Sequence, residues 1–493
     1  MNYVGISCGF HDAALSVIDD NGNILFAGHS ERYSKKKHDA DLCESLVKDA
    51  LKYVNGPYEL HYYEKPLVKA VRQFRAGQKL GPFSAKKIIG ESMMAHFDQT
   101  DKVKTHSHHM THAAAGFQTS PFDEATVVII DAIGELDTIT IWDAYYDQNG
   151  KAIYKRIWGK KYPDSIGLLY SAMTARVGLR PLDEEYILMG MAAYGDADKH
   201  IDSFDSFVPD PDRLNFSYNF HTGAPEGFLE GADEMDIAAA TQMFTEDLIM
   251  DVMDIAVRLG KSRNLVYGGG VALNCAANRD LGNRFDKIWI MPNPGDAGNS
   301  LGAAALGYGR KLNWVNAFLG FNVPGKYPVD RVIEELHNRK IVGVASGRAE
   351  FGPRALGNRS LLADPRGPDI KDRVNDIKRR QQFRPFAPVI LEELFGDYFC
   401  MPVGWDDSRY MQVIAHCRSP DLFPAIVHHD GTSRVQTVPD DGSGIRRLLE
   451  RWFAETGCPM LLNTSLNIRG KPMVNDRIDA IEFEKLYGVK VCT

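Results

Sequence analysis

Residues 107–115 read Ser-His-His-Met-Thr-His-Ala-Ala-Ala. His108 and His112 are four positions apart, so on a helix they share one face and reach one metal ion. His109 points elsewhere in that geometry. The alanines favour helix and let another element approach closely. Two imidazoles are not yet a site, and a polar surface cluster is the competing reading. Two strand-end carboxylates weigh against it: Asp131 closes the apolar run TVVIID, and Asp296 lies in PNPGDAG after a second short strand. Mixed imidazole and carboxylate ligation suits iron, manganese or zinc.

Other stretches carry anion chemistry. Gly268-Gly269-Gly270 and Gly295-Asp296-Ala297-Gly298 each stand between a strand pattern and a helix pattern. Backbone N–H groups in such turns cradle phosphate, aided by the helix N-terminus. The candidate nucleotide-binding positions are Gly134, Gly269, Gly270, Asn274 and Gly295. The spacing is neither GxGxxG nor a Walker loop, which weakens dinucleotide and P-loop readings. Further on, EFGPRALGNRS, RRQQFRPFAPVI, HHDGTSRVQTV and LLNTSLNIRGKPM each join Arg or Asn to Gly, Pro or hydroxyl residues. That chemistry aims guanidinium forks at an anion. Residues 348–384 hold ten basic and five acidic side chains in a chain whose net charge is −8. A solvated basic face is the plainer alternative.

The elements that must position these groups form a repeat. Val4–Ile6, Ala14–Ile18 and Ile24–Ala27 read as strands, the last two joined by Asn21-Gly22. Thr126–Ile130, an Asp-x-x-Gly turn at Asp131–Gly134, Thr138–Trp142, Asn149-Gly150 and Ala152–Ile157 repeat that order. Asn-Gly between apolar runs is a strong hairpin signal, so two similar α/β lobes are expected. Asp236–Leu259 has helical spacing and neither Gly nor Pro. A boundary is expected near residues 315–342, with a fresh strand at Ile341–Val344. The 493 residues exceed one compact core. Seven scattered cysteines without a CxxC suggest reduced thiols. The N-terminus lacks a signal-peptide pattern and no run reaches membrane length. A cytoplasmic protein is expected. The acidic total gives no support for nucleic-acid or membrane partners.

The segments HHMTHAAAGFQTSPF, MGMAAYG, GGGVALNC, PGDAGNSLGAA, FGPRALGNRS, FRPFAP, HDGTSRVQT and LLNTSLNIRGKP together resemble the O-carbamoyltransferase family, which includes nodulation-factor, cephamycin and tobramycin carbamoyltransferases. The resemblance runs from about residue 3 to 475 in family order. It implies an actin-like ATPase domain with duplicated lobes over 1–335, as in the tRNA threonylcarbamoyladenosine enzyme. It implies an α+β YrdC-like domain over 341–493. The implied reaction has two stages: carbamoyl phosphate and ATP form carbamoyl-adenylate, and the carbamoyl group then passes to a hydroxyl of a small molecule such as a sugar, a natural product or a hydroxymethyl nucleotide. By motif, metal ligands fall on His108, His112, Asp131 and Asp296, with Fe²⁺ favoured over Mn²⁺, Mg²⁺ or Zn²⁺. Carbamoyl phosphate and ATP positions in the second domain fall on Arg354, Lys378, Arg384, Arg434, Asn463 and Ser465. Relatives are often homodimers.

Transfer to a hydroxyl needs a base. His11, just after the first strand, is the candidate, with Asp12 to orient it; a buried structural histidine is the alternative. Ile187 stands where the family often has lysine. Three rival functions remain: a tRNA threonylcarbamoyl enzyme, an actin-like ATPase or sugar kinase, and a nucleic-acid-binding module using residues 348–384.

Overall fold

The structure is a computed structural model that describes residues 1–75, 81–97, 102–210 and 213–493. In the first Asn-Gly segment, β1 (Asn2–Ser7), β2 (Ala14–Ile18) and β3 (Ile24–His29) form an antiparallel meander. β4 (Tyr58–Tyr62) and β5 (Val103–Thr105) continue the sheet in parallel beyond β1, in the order β3-β2-β1-β4-β5. The second segment does the same. β6 (Glu124–Gly134), β7 (Asp137–Tyr146) and β8 (Ala152–Lys161) are antiparallel, and β9 (Asn264–Gly268) and β10 (Lys287–Ile290) follow in parallel. The order β8-β7-β6-β9-β10 matches the first sheet strand for strand, so the weak sequence repeat is a structural duplication. Gly22 and Gly150 take φ of 83° and 74°, the left-handed backbone their turns require.

Two elements depart from the sequence reading. Asp131–Gly134 is not a turn: β6 runs through it with an irregularity between Ile130 and Gly134, and the chain reverses at Glu135-Leu136. A bulge of this kind re-aims side chains at a strand end. After Gly268–Gly270 the chain forms short 3₁₀ turns, Gly270–Leu273 and Ala277–Asn283, rather than an α-helix. The Asn274 side chain accepts the Ala277 N–H at 3.1 Å and so competes with helix continuation.

Three helices frame the space between the sheets: α1 (His108–Thr119), α2 (Glu234–Leu259) and α3 (Asn299–Tyr308). α2 is capped by Asp233, whose carboxylate accepts the Met235 and Asp236 N–H groups. A Cβ on Gly5 would lie 1.8 Å from the Ser300 carbonyl, and one on Gly302 1.9 Å from the Thr111 carbonyl. α3 is therefore pressed onto β1 on one side and onto α1 on the other. Gly116 lets α1 approach Val266 of β9 in the same way.

The rest of the chain contributes β11 (Phe318–Val323), β12 (Ile341–Ala345), β13 (Gly347–Glu350), β14 (Arg359–Ala363), β15 (Ala387–Leu391), β16 (Phe399–Cys400), β17 (Ala415–Cys417), β18 (Thr432–Ser433), β19 (Gln436–Val438), β20 (Met460–Ser465) and β21 (Val491–Cys492). A mixed sheet runs β19-β15-β20-β14-β12-β21, beside a ribbon β11-β13 and a small sheet β16-β17-β18. The ribbon touches the first lobe, because Arg348 donates to the Leu25 carbonyl on β3 at 2.7 Å. The helix Val329–Arg339 buries Val332, Ile333 and Leu336 in the core of the six-stranded sheet. The molecule is a mixed α/β protein. Among the described residues no helix is long and apolar enough to cross a membrane.

Candidate metal centre and cationic cluster

α1 begins at His108, so its first turn presents His108 and His112 inward over the end of β6. Asp131 comes from β6 and Asp296 from the turn that leads into α3. All four are buried, and their ligand atoms lie within 4.8 Å of one another. His108 Nε2 is 3.1 Å from Asp131 Oδ2 and 3.3 Å from Asp296 Oδ1; His112 Nε2 is 3.6 and 3.4 Å from the same two atoms. The two Nε2 atoms face each other at 3.1 Å. Burial alone disfavours charge on His108, yet Asp296 and Asp131 raise its pKa well above the ordinary histidine value. The pocket is thus a hole for positive charge. Two nitrogens and two carboxylates aimed at one point fit a divalent cation. His109 turns away to the Thr140 hydroxyl at 2.9 Å, and burial lowers its pKa well below the usual range, so it is neutral.

His11 lies in the β1–β2 turn at the edge of this centre. Its Nδ1 donates to Asp12 Oδ2 at 2.9 Å, and its Nε2 is 3.7 Å from Asp296 Oδ2. Burial opposes charge on His11, but Asp12 and then Asp296 more than offset it and raise its pKa. The glycine positions divide. The Gly270 N–H donates to Asp131 Oδ1 at 3.2 Å and so orients a ligand. Gly134 is needed because a Cβ there would lie 2.4 Å from the His108 ring. Gly269 has φ 89° and donates to the Pro294 carbonyl at 3.0 Å. Asn274 exchanges amide hydrogen bonds with Gln242. Gly295 faces open space and leads into α3, the one true helix start among these turns. Of the two glycine turns, only the Gly295 turn leads into an α-helix.

In the second half, the basic surplus separates into two groups. Arg359 is fully buried and donates only to carbonyls, including Asn475, Ser346 and Phe321. Arg366 pairs with Asp364 and Arg373 with Asp369. These are structural. Arg354, Arg380, Arg384 and Arg434 act on one another as cations, although Arg380 also donates to Asn375 Oδ1 at 2.6 Å and to the Pro385 carbonyl at 3.2 Å. Burial, then Arg434, lowers Arg354 to about 9. Burial, then Arg384, lowers Arg380 well below its usual value. Among the described residues Arg434 Nε has no hydrogen-bond partner. Half-buried, mutually repelling guanidinium groups are costly unless an anion joins them. Lys378 is differently used: its Nζ is ringed by Ser465 O (2.5 Å), Ser465 Oγ (3.2 Å), Asn467 O (2.9 Å) and Asn467 Oδ1 (3.0 Å). Asn463 is likewise engaged with Ala355 O and Gln436 Oε1. Lys378, Asn463 and Ser465 shape the turn beneath the cluster, while the arginines face it.

The two sites are adjacent. Gly270 N–H holds Asp131, and three residues later the Leu273 carbonyl lies 3.4 Å from Arg354 Nη2. Arg384 lies over the Tyr186 ring of the second lobe, 4.8 Å from its centroid.

This arrangement has relatives. Residues 52–305 match the model of the carbamoyltransferase N-terminus, and residues 333–492 match that of the carbamoyltransferase C-terminus. The chain belongs to the carbamoyltransferase family. A Synechocystis protein of uncharacterized function is 32% identical over 97% of this chain and 93% of its own length. The 3'-hydroxymethylcephem-O-carbamoyltransferase of Amycolatopsis lactamdurans is 28% identical over 97% of this chain and 95% of its own. Among solved structures, (R)-2-hydroxyglutaryl-CoA dehydratase component A of Acidaminococcus fermentans aligns with a TM-score of 0.35 at 14% identity, covering 62% of this chain and 98% of that one.

Sequence reasoning passed over several residues that this carbamoyltransferase places at the sites. Asn299, the first residue of α3, is buried with its amide nitrogen 2.9 Å from His112 Nε2. Arg380 completes the cationic cluster, and His38 and Asp183 stand behind Asp12. The Asn in GNSLGAA is a visible signal for the first; long-range contact alone finds the others. Ile187, in place of the family's frequent lysine, is buried in the core of the second lobe.

Proposed function

We propose that this carbamoyltransferase is ATP-dependent and acts in two stages on a small-molecule alcohol. The observation that carries the reading is the pairing of a buried four-ligand cation site with a half-buried arginine cluster across one short turn, Gly270–Leu273. The arginines of the C-terminal, YrdC-like part would neutralise carbamoyl phosphate and ATP and align them, which is mainly positioning and electrostatics. The atoms balance if water cleaves carbamoyl phosphate to carbamate and inorganic phosphate, a carbamate oxygen then bonds to the α-phosphorus of ATP and pyrophosphate leaves. In the second stage the acceptor oxygen attacks the carbamoyl carbon, the bond to AMP breaks, and the hydroxyl proton passes to His11 Nε2. His108, His112, Asp131 and Asp296 would hold the cation, Fe²⁺ by family resemblance, and a cation so held makes a phosphate a better leaving group.

The duplicated lobes support an actin-like ATP-binding domain, and the Gly295 turn supports its phosphate contact. The apolar side of Val329–Arg339 supports a division of the chain before residue 329 rather than after 335. A sugar kinase would leave the half-buried arginine cluster without a task. A nucleic-acid module would leave the cation site without one.

The test is incubation with carbamoyl phosphate, ATP and an alcohol panel of amino sugars, a 3'-hydroxymethylcephem and a hydroxymethyl nucleotide. Pyrophosphate release that requires carbamoyl phosphate, and a product heavier by one carbamoyl group, are expected. Transfer of phosphate to the alcohol would instead establish a kinase.

A further inference from the structure

The β1–β2 turn that bears His11 has little packing of its own. Gly9 and Phe10 are exposed, and Asp12 holds φ 53°. His38, in the loop after β3, holds φ 53° as well. Residues with a Cβ keep such a backbone only where their surroundings compensate. Here the compensation is a continuous chain of hydrogen bonds. Asp12 takes the His11 Nδ1–H on one oxygen and the His38 Nδ1–H on the other, at 2.9 and 2.8 Å. His38 Nε2 donates to Asp183 Oδ1 at 2.9 Å. Asp183 is fixed in turn by Lys37 at 2.5 Å and by Arg180 at 2.8 Å. The His38 N–H donates to Glu31 at 3.1 Å.

Both ring nitrogens of His38 face carboxylates, so both donate and the ring is an imidazolium. It has no lone pair left for a substrate proton or a metal. Whatever it does for the reaction is done through Asp12. The chain also crosses the molecule: Asp12 and His38 belong to the first lobe, whereas Asp183 precedes a helix of the second, Glu185–Met191, whose Ile187 and Leu188 lie in that lobe's core. Asp183 is therefore a rigid anchor and the β1–β2 turn is the part it restrains.

We propose that His38 and Asp183 are positioning residues for acceptor activation: they fix the Asp12 carboxylate, which holds His11 as the Nδ1–H tautomer with Nε2 open beside Asp296. This deepens the role given to His11 under Proposed function and rests on it. A histidine whose far nitrogen is fixed by a carboxylate accepts a proton at a defined point and is stabilised once protonated. His38 would supply to Asp12 what Asp12 supplies to His11.

The test uses the full chain with the substitutions H38Q and D183N, alone and combined with H11A, and the alcohol carbamoylated in the preceding experiment. In H38Q and D183N, kcat for transfer should fall about 10–100-fold, the range for losing an orienting partner. The acceptor KM and carbamoyl-phosphate-dependent pyrophosphate release should be unchanged, which a general loss of structure would not leave so. H11A/H38Q should be no slower than H11A. A crystal structure of H38Q should show the His11 ring released from Asp12. The proposal is overturned if H38Q slows H11A by its full single-variant factor, or if the His11–Asp12 contact persists unchanged in H38Q crystals. Wild-type transfer by H11A would remove the His11 role itself, and the crystal of H38Q would still decide whether His38 sets that ring.

Discussion

His112 illustrates how much one side chain carries at the residue scale. It contributes one of four donors to a buried centre whose two carboxylates demand a compensating cation. His112→Ala should lower bound metal and reduce transfer by more than the ~10–100-fold typical of losing an outer partner. Pyrophosphate release by the arginine cluster should persist. Metal analysis and the two partial assays check both halves; equal loss of both would sink the separation of the sites. His38 makes a different statement. Burial works against its charge, but Asp12 and Asp183 raise its pKa to about 10. Unfolded histidine titrates near ~6.5. The folded state thus binds the extra proton between those values, and its contribution is complete below ~6.5 and lost as pH rises toward 10. Thermal midpoints of the wild type should therefore fall more steeply than those of H38Q between about pH 7 and about pH 10.

Helices α1 and α3 place three of the four ligands at the element scale. α1 carries His108 and His112, and α3 starts just after Asp296. Their separation is set by Gly302, where a Cβ would stand 1.9 Å from the Thr111 carbonyl. Backbone cannot yield as a side-chain tip can, so the helices must part. Gly302→Ala should cost about 1–3 kcal/mol of stability by overpacking, and it should weaken metal binding although it touches no ligand. Denaturant melts and metal titration check this; an unchanged metal affinity would show that the helix spacing does not set the centre.

The whole molecule joins two chemistries of opposite electrostatic character. One site gathers carboxylates and imidazoles and the other guanidinium groups, and the turn Gly270–Leu273 touches both. The joint is reinforced across the halves by Arg32 on the Gly352 carbonyl at 2.8 Å and by Arg469 on Glu184 at 2.5 Å. Removing the metal with a chelator should stop transfer while pyrophosphate release continues. Arg434→Ala should cut pyrophosphate release by about 10²–10³-fold, the cost of one lost charge-stabilising donor, and transfer with it, with metal content unchanged. Loss of metal from the Arg434 variant would contradict two separable sites.

The sequence by itself determined the duplicated lobes, because Asn-Gly turns and period-2 apolar runs are local signals that tertiary packing had no reason to override. It also marked the four side chains that the fold brings together: His108 and His112 are local by helical spacing, and Asp131 and Asp296 stand at strand ends. Tertiary structure alone decided which basic residues gather into the cationic cluster. Arg354 and Arg359 share one motif, yet Arg359 is consumed by backbone carbonyls and Arg354 is not. It decided that Asp131–Gly134 extends a strand and that no α-helix follows Gly270: Gly270 holds Asp131 from 139 positions away, and Gln242 holds Asn274 from 32. It decided the His11–Asp12–His38–Asp183 chain as well. Those residues are up to 172 positions apart, and the physical reason is the same: a hydrogen bond depends on distance in space, which the fold sets.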